Sequence, residues 1–187
     1  GSVIRLLEQL AVKHRYGIVD APEVREEFRN FSGLQEHIFD AAEPLQPEAI
    51  QGTLGQQLVG QPEAVHALAD VVQLVKAKLN HPGRPLSSFL FIGPTGVGKT
   101  QAAKVLCNYL MGSEKQLLRF DMNEYIDSSS LQRLIGDYYN PEGQLTGAVR
   151  YRPFSIVLLD EIEKAHPLVR DLLLQLLDDG RLTDSLG

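Results

Sequence analysis

The feature that most constrains this chain is a glycine-rich loop between an apolar run and a helical pattern. The loop reads Gly93-Pro94-Thr95-Gly96-Val97-Gly98-Lys99-Thr100. It matches the phosphate-loop pattern G-x-x-x-x-G-K-[ST] without a mismatch. The apolar run at residues 89–92 predicts a buried strand, and apolar residues recur at helical spacing after Thr100. Strand, loop and helix in this order are the context that a phosphate-binding loop requires.

The residue types of the loop suit the binding of phosphate. Its glycines let the backbone turn tightly and approach an anion without a Cβ in the way. The amides and the dipole of the following helix attract negative charge. We expect Lys99 to reach the β- and γ-phosphates of ATP and the Thr100 hydroxyl to bind Mg²⁺. We also predict nucleotide contacts for the rest of the loop and for Gln101, the next residue of the helix.

Strands that alternate with helices predict an α/β fold with a parallel sheet flanked by helices. After the loop, strands are predicted at residues 117–121 and 155–160, and helices at about 129–135, 145–151 and from Pro167 onward. Before the loop, helices are predicted at about 3–11, from Asp20 with Val24 and Phe28 facing inward, and at about 58–79. We therefore divide the chain into a small helical segment with a linker, 1–57, and a unit built around the phosphate loop, 58–187.

Two carboxylates follow the last predicted strand. Its apolar residues run almost without interruption, as in a strand covered on both faces, and end at Asp160 and Glu161. We expect Asp160 to hold Mg²⁺, directly or through water, and Glu161 to polarise the water that attacks the γ-phosphate. Lys99 and Glu161 are then the catalytic residues, and Thr100 and Asp160 the metal ligands. The alternative is a solvated acidic turn after a core strand.

Composition narrows the class of protein. The chain has 18 basic and 24 acidic residues, a net charge of −6, and no strongly basic stretch, so nucleic acid is not expected as a partner. No apolar run approaches the length of a membrane span. We predict a soluble, cytoplasmic protein. The single cysteine, Cys107, excludes an internal disulfide and fits a small core residue.

Longer strings of residues carry a family resemblance. They are Val59-Gly60-Gln61, the phosphate loop, Asp121-Met122-Asn123-Glu124-Tyr125, the run from Leu158 to Pro167, and the run from Leu177 to Asp184. On these strings, residues 58–187 resemble the second ATPase module of the AAA+ ATPases in the Clp and heat-shock unfoldase and disaggregase group. The resemblance implies an AAA+ large subdomain that uses ATP and Mg²⁺, with Val59 and Gly60 bordering the adenine. It also implies a ring, usually hexameric, that pulls a polypeptide client through its pore.

Two departures from the family pattern bear on function. Family members usually carry a Gly-Tyr-Val-Gly pore loop, whereas the corresponding connection here is the shorter Asp137-Tyr138-Tyr139-Asn140-Pro141-Glu142. Tyr138 or Tyr139 either grips substrate or packs within the shortened loop.

The family's fourth strand, arginine finger and helical lid fall beyond residue 187. The resemblance therefore implies a C-terminally truncated unit that is weakly active or inactive alone. In the family the missing fourth strand would lie between the predicted strands at residues 89–92 and 155–160. We expect these two strands to close on each other, or another strand to fill the gap between them.

The leading hypothesis is an ATP-hydrolysing motor that drives protein unfolding, disaggregation or remodelling. A first alternative is a nucleotide-gated assembly module that threads no polypeptide, which the short loop motivates. A second alternative is a non-catalytic nucleotide-binding scaffold, and the presence of Glu161 argues against it.

Overall fold

The structure is a computed structural model that describes residues 8, 11–12, 19–39, 46–77, 85–94, 96–139 and 141–179. Most of the predicted helix at 3–11, loop residue Thr95 and the end of the family-like run at 180–184 lie outside the described residues. In chain order, the described elements are α1 (Ala21–Ser32), α2 (Glu36–Phe39), α3 (Pro47–Gly55), α4 (Pro62–Lys76), α5 (Lys99–Met111), β1 (Leu117–Asp121), α6 (Ser130–Ile135), α7 (Gln144–Tyr151), β2 (Ile156–Asp160) and α8 (Pro167–Asp179).

The two strands β1 and β2 form a parallel pair. Their register runs from Leu117 opposite Ile156 to Asp121 opposite Asp160. The chain crosses from one strand to the other through α6 and α7, and α5 and α8 flank the pair in sequence. The predicted α/β class with a parallel sheet is therefore confirmed.

The predicted buried strand at residues 89–92 is wrong. This segment is not in the sheet that the described residues form, and its Leu90 and Ile92 are 68% and 87% exposed. Residues 89–92 also do not pair with β2, because β1 is the only strand that pairs with β2 among the described residues. An extended segment becomes a strand only when a neighbour pairs its amides and carbonyls. An apolar run shows that a segment suits burial but does not show that its partner is in place.

Side chains pack on both faces of the strand pair. Ile156 packs against one cluster of buried residues, built mainly from α3, α4 and α5. Phe120 and Leu159 pack against a second cluster, which includes residues of α6, α7 and α8. Successive residues of a strand point to opposite faces, so the two clusters lie on opposite sides of the pair. The first cluster contains residues from both sides of position 58. The domain boundary predicted at that position stays a prediction.

Several helix boundaries differ from the predictions for local reasons. α1 follows Asp20 as predicted, and Asp20 and Glu23 form a capping box. Of the two residues predicted to face inward, Phe28 packs against the core, whereas Val24 is 39% exposed. α4 begins at Pro62, four residues later than predicted, since proline suits the first turn of a helix. α6 begins at Ser130, one residue later than predicted, and its N-cap residue Ser129 makes no side-chain hydrogen bond to the helix. No described helix is both long and apolar enough to span a membrane.

Candidate active site

The glycine-rich loop turns into α5 through left-handed backbone. Gly96 and Gly98 have φ angles of 87° and 96°, a conformation that residues with a Cβ rarely adopt. Gly98 caps α5, and its carbonyl accepts the first helical hydrogen bond, from the amide of Ala102. The amino end of a 13-residue helix therefore opens onto the loop. Helix amino ends attract anions because their first amides have no partner within the helix.

Lys99 folds back across the loop. Its Nζ donates to the carbonyl oxygens of Gly93 at 2.7 Å and Pro94 at 2.8 Å. Both partners are neutral, and no described carboxylate forms an ion pair with Lys99. The positive charge of the ammonium is therefore uncompensated at the mouth of the loop, where it suits an anion.

Thr100 and Asp160, the two predicted metal ligands, lie together. The Thr100 hydroxyl donates to Asp160 Oδ2 at 3.3 Å, although the residues are 60 positions apart. The pairing joins the first turn of α5 to the carboxyl end of β2, whose last residue is Asp160. Hydroxyl and carboxylate oxygens are the hard donors that Mg²⁺ prefers, so this pair fits the metal. The described residues contain no cluster of three or more potential ligands, and Mg²⁺ on a nucleotide needs one or two carboxylates beside phosphates and water.

Glu161 stands next to Asp160 in a strained conformation. Its φ is 54°, which makes it the described non-glycine residue with left-handed backbone. Such strain is common where a side chain must be aimed at a reaction. Glu161 Oε2 accepts a hydrogen bond from the side-chain amide of Asn123 at 2.6 Å. No role was predicted for Asn123 from the sequence, although its place in the turn after β1, two residues beyond Asp121, was the available signal.

Asn123 also holds Asp121, which ends β1. Asp121 Oδ1 accepts hydrogen bonds from the backbone amide of Asn123 at 3.0 Å and from its side chain at 2.8 Å. These bonds, with a smaller contribution from the positive charge of Arg119, lower the pKa of the Asp121 carboxyl. Asp121 therefore stays ionised beside the predicted metal site.

The segment predicted to border adenine adjoins the loop. The side-chain amide of Gln61 donates to the carbonyl of Val97 at 3.3 Å and so links the Val59-Gly60-Gln61 string to the loop. Val59 is 84% exposed and Gly60 has a φ of 76°. Gln101 lies exposed on the first turn of α5.

The chain is similar to known proteins over much of its length. The family model for the AAA domain (Cdc48 subfamily) matches residues 84–187. This chain belongs to that family. The chaperone protein ClpB of Lactococcus lactis subsp. cremoris is 56% identical over 140 residues, which are 72% of this chain and 16% of that protein. The probable chaperone protein ClpB 1 of Chlorobaculum tepidum is 46% identical over 174 residues, 90% of this chain and 40% of that protein.

These matches confirm the resemblance to the Clp group. The chain spans less than half the length of either relative. Its AAA domain has an α/β fold of the phosphate-loop type.

The AAA domain also carries the short loop between α6 and α7. Its two ends touch, since a Cβ on Gly143 would lie 2.3 Å from the carbonyl oxygen of Leu134. Within the loop, Tyr138 and Tyr139 are 90% and 89% exposed, with their rings edge to face at 5.4 Å. The alternative that these tyrosines pack within the loop is therefore wrong. The loop's Asn140 lies outside the described residues.

Proposed function

We propose that this AAA domain binds ATP with Mg²⁺ and hydrolyses it, and that the reaction drives the unfolding, disaggregation or remodelling of polypeptides by a Clp-type ring. The observation that carries the proposal is the contact of Thr100 with Asp160, since it places the helix after the phosphate loop against the strand that ends in Asp-Glu. A phosphate-binding loop, a carboxylate that suits the metal and a second, exposed carboxylate are the groups that ATP hydrolysis uses to bind phosphate, hold Mg²⁺ and orient water.

Each residue has a separate task in this proposal. Lys99 and the amides of the loop bind the phosphates, while Thr100 and Asp160 hold the metal, which neutralises phosphate charge when it is bound. Glu161 orients and polarises the attacking water, because its carboxylate is exposed and one oxygen is held by Asn123. Val59 and Gly60 border the adenine, and Gln101 lies beside the phosphates.

The mechanical part of the proposal rests on the relatives and on the exposed tyrosines. The relatives are named chaperones, and this chain covers only part of their length. We propose that the domain works within a longer protein that assembles into a ring, a hexamer in the simplest case. Tyr138 and Tyr139 then face a polypeptide client. The nucleotide-gated assembly module gives no role to two adjacent, exposed aromatic rings. The cytoplasmic location stays a prediction.

Nucleotide binding tests the first step. We expect Lys99→Ala to weaken the binding of ATP with Mg²⁺ to this chain by about tenfold or more, because hydrogen bonds from a charged group are worth about 1.5–3 kcal/mol. Lys104→Ala is the matched control, since Lys104 lies on the same helix and pairs with Glu114 at 3.8 Å, away from the loop. Equal affinities for the wild type and Lys99→Ala, measured by calorimetry, would contradict a phosphate-binding role for the loop.

Hydrolysis tests the second step, in the longer protein that carries this domain. Glu161→Gln keeps the shape of the side chain but cannot polarise water, so ATP binding stays and turnover falls about a hundredfold or more. Asp160→Asn lowers the dependence of ATP binding on Mg²⁺ as well. Wild-type turnover by Glu161→Gln would show that another residue orients the water.

A further inference from the structure

Arg119 makes a contact that neither the loop pattern nor the family resemblance assigns. Its Nη2 lies 2.9 Å from Asp160 Oδ2, the same oxygen that accepts the Thr100 hydroxyl. The Asp160 side chain is 18% exposed, and the Arg119 side chain is half exposed. The Arg119 guanidinium therefore pairs with the oxygen of Asp160 that also contacts the helix after the phosphate loop.

The strand register explains how Arg119 reaches this place. Arg119 is opposite Leu158, and Asp121 is opposite Asp160. Since side chains two apart on a strand share a face, Arg119, Asp121 and Asp160 all lie on one face of the pair. The two aspartates sit side by side at the carboxyl ends of neighbouring strands, where like charges repel. Arg119 supplies the compensating positive charge through its ion pair with Asp160.

We propose that Arg119 is the counter-ion of Asp160 while the site holds no metal, and that it must leave Asp160 when Mg²⁺ arrives with the nucleotide. The reason is electrostatic, because a guanidinium and a divalent cation repel each other and compete for the negative charge of the same carboxylate. The proposal rests on the function proposed above. Arg119 acts through Asp160 and is a positioning residue.

The neighbouring carboxylate gives the displaced side chain a new partner. Both described hydrogen bonds to Asp121 end on Oδ1, and Asp121 lies two residues beyond Arg119 on the same face. Arg119 can therefore exchange Asp160 for Asp121 by a change of rotamer.

Loss of Arg119 should affect ATP binding in opposite directions with and without metal. Without metal, Arg119 neutralises Asp160 and so reduces its repulsion of the phosphates. With metal, Arg119 competes for the same oxygen. Replacing Arg119 by Gln should therefore weaken ATP binding in the presence of a chelator and strengthen it in Mg²⁺. We therefore expect the dissociation constant in chelator, divided by the dissociation constant in Mg²⁺, to rise at least about threefold. A change of this size is the scale of a partly exposed ion pair.

The experiment is calorimetric titration of this chain with ATP, once in EDTA and once in Mg²⁺. Arg119→Met is a second neutral variant, which keeps the aliphatic stem and must give the same shift in the ratio. Arg119→Lys keeps the charge and should stay within twofold of the wild type. Lys115→Gln is the control for net charge, because Lys115 is exposed and lies just before the opposite end of β1. Circular dichroism checks that each variant is folded.

The outcomes separate this inference from the proposed function. A ratio that stays unchanged in both neutral variants, or rises equally in Lys115→Gln, overturns the role of Arg119 while ATP binding by the wild type stands. A parallel loss of affinity in both buffers also overturns it, because a merely structural arginine would act in that way. Absence of ATP binding by the wild type in Mg²⁺ would contradict the proposed function itself.

Discussion

The side-chain amide of Asn123 lies 2.6 Å from Glu161 Oε2 and joins the residue after β2 to the turn after β1. The same amide nitrogen lies 2.8 Å from Asp121 Oδ1. Asp121 therefore holds the side chain of Asn123, and Asn123 in turn holds the carboxylate of Glu161. Because Glu161 also has left-handed backbone, both its main chain and one oxygen of its carboxylate are held in place.

Asn123 should therefore matter for hydrolysis more than for binding. In Asn123→Ala, Glu161 regains rotamer freedom that is worth about 1–2 kcal/mol, so we expect turnover to fall about fivefold to thirtyfold. The affinity for ATP with Mg²⁺ should change by less than about twofold, since the described hydrogen bonds of the Asn123 side chain go to Asp121 and Glu161, neither of which is a predicted phosphate or metal ligand. Steady-state ATPase assays on the longer protein and calorimetry on this chain measure the two quantities.

Two further variants sharpen this test. Asn123→Asp keeps the size of the side chain but places a third carboxylate beside Asp121 and Glu161, so its loss of turnover should exceed that of Asn123→Ala. Ser128→Ala, on the exposed loop that follows, should leave turnover unchanged. Equal turnover in the wild type and Asn123→Ala would mean that the hydrogen bond does not position Glu161.

Gly143 closes the aromatic loop and should not tolerate a side chain. In Gly143→Ala the added Cβ would lie 2.3 Å from the Leu134 carbonyl, so backbone must move, and we expect a loss of about 1–3 kcal/mol of unfolding free energy. Gly52→Ala is the control: Gly52 lies within α3 with no atom near its Cβ position, and alanine should stabilise that helix by about 0.5–1 kcal/mol. Urea denaturation measures both, and a neutral Gly143→Ala would refute the close approach.

Cys107 should be an unreactive thiol whose contribution to stability depends on pH. Burial, with a smaller effect of Glu114, raises its pKa from 9.0 to about 11. The unfolded thiol ionises at lower pH than the folded one, so its contribution is fully present below pH 9 and is lost as the pH rises towards 11. Between these values the unfolding free energy of the wild type should fall relative to that of Cys107→Ala. Thiol-reagent labelling at pH 8 should be slow until urea unfolds the chain.

The sequence predicted those parts of the fold that local patterns determine. The strand at residues 117–121 was predicted with its observed ends and the strand before Asp160 to within one residue, because apolar runs and their polar ends are local signals. The phosphate loop was recognisable because glycine is needed where φ is positive, as at Gly96 and Gly98.

What the sequence missed depends on neighbours in space. Residues 89–92 have the composition of a strand but lack a paired neighbour among the described residues, and composition carries no information about pairing. The contacts of Arg119 with Asp160 and of Asn123 with Glu161 cross between the two strand ends, so they follow from register. Aligning the carboxyl ends of the two predicted strands would have placed Arg119 diagonally opposite Asp160.

The exposed tyrosines decide between the motor and the assembly module. Replacing Tyr138 and Tyr139 together by Ala, in the longer protein, should leave basal ATP turnover within about twofold, because both side chains are almost fully exposed and their described ring contact is with each other. Unfolding of a polypeptide client should fall at least about fivefold, since exposed tyrosines are frequent hot spots of recognition. The measurements are ATP turnover and the loss of fluorescence from a tagged client.

The control for the double variant is Tyr151→Ala. Tyr151 is 75% exposed at the end of α7, so its removal deletes a similar apolar surface outside the loop. Retention of client unfolding in this control, together with its loss in the double variant, assigns the grip to the loop. If the double variant unfolds the client at the wild-type rate, the two rings do not grip substrate. Loss of client unfolding and ATP turnover together would instead mean that the loop supports the nucleotide site, to which α6 and α7 join it along the chain.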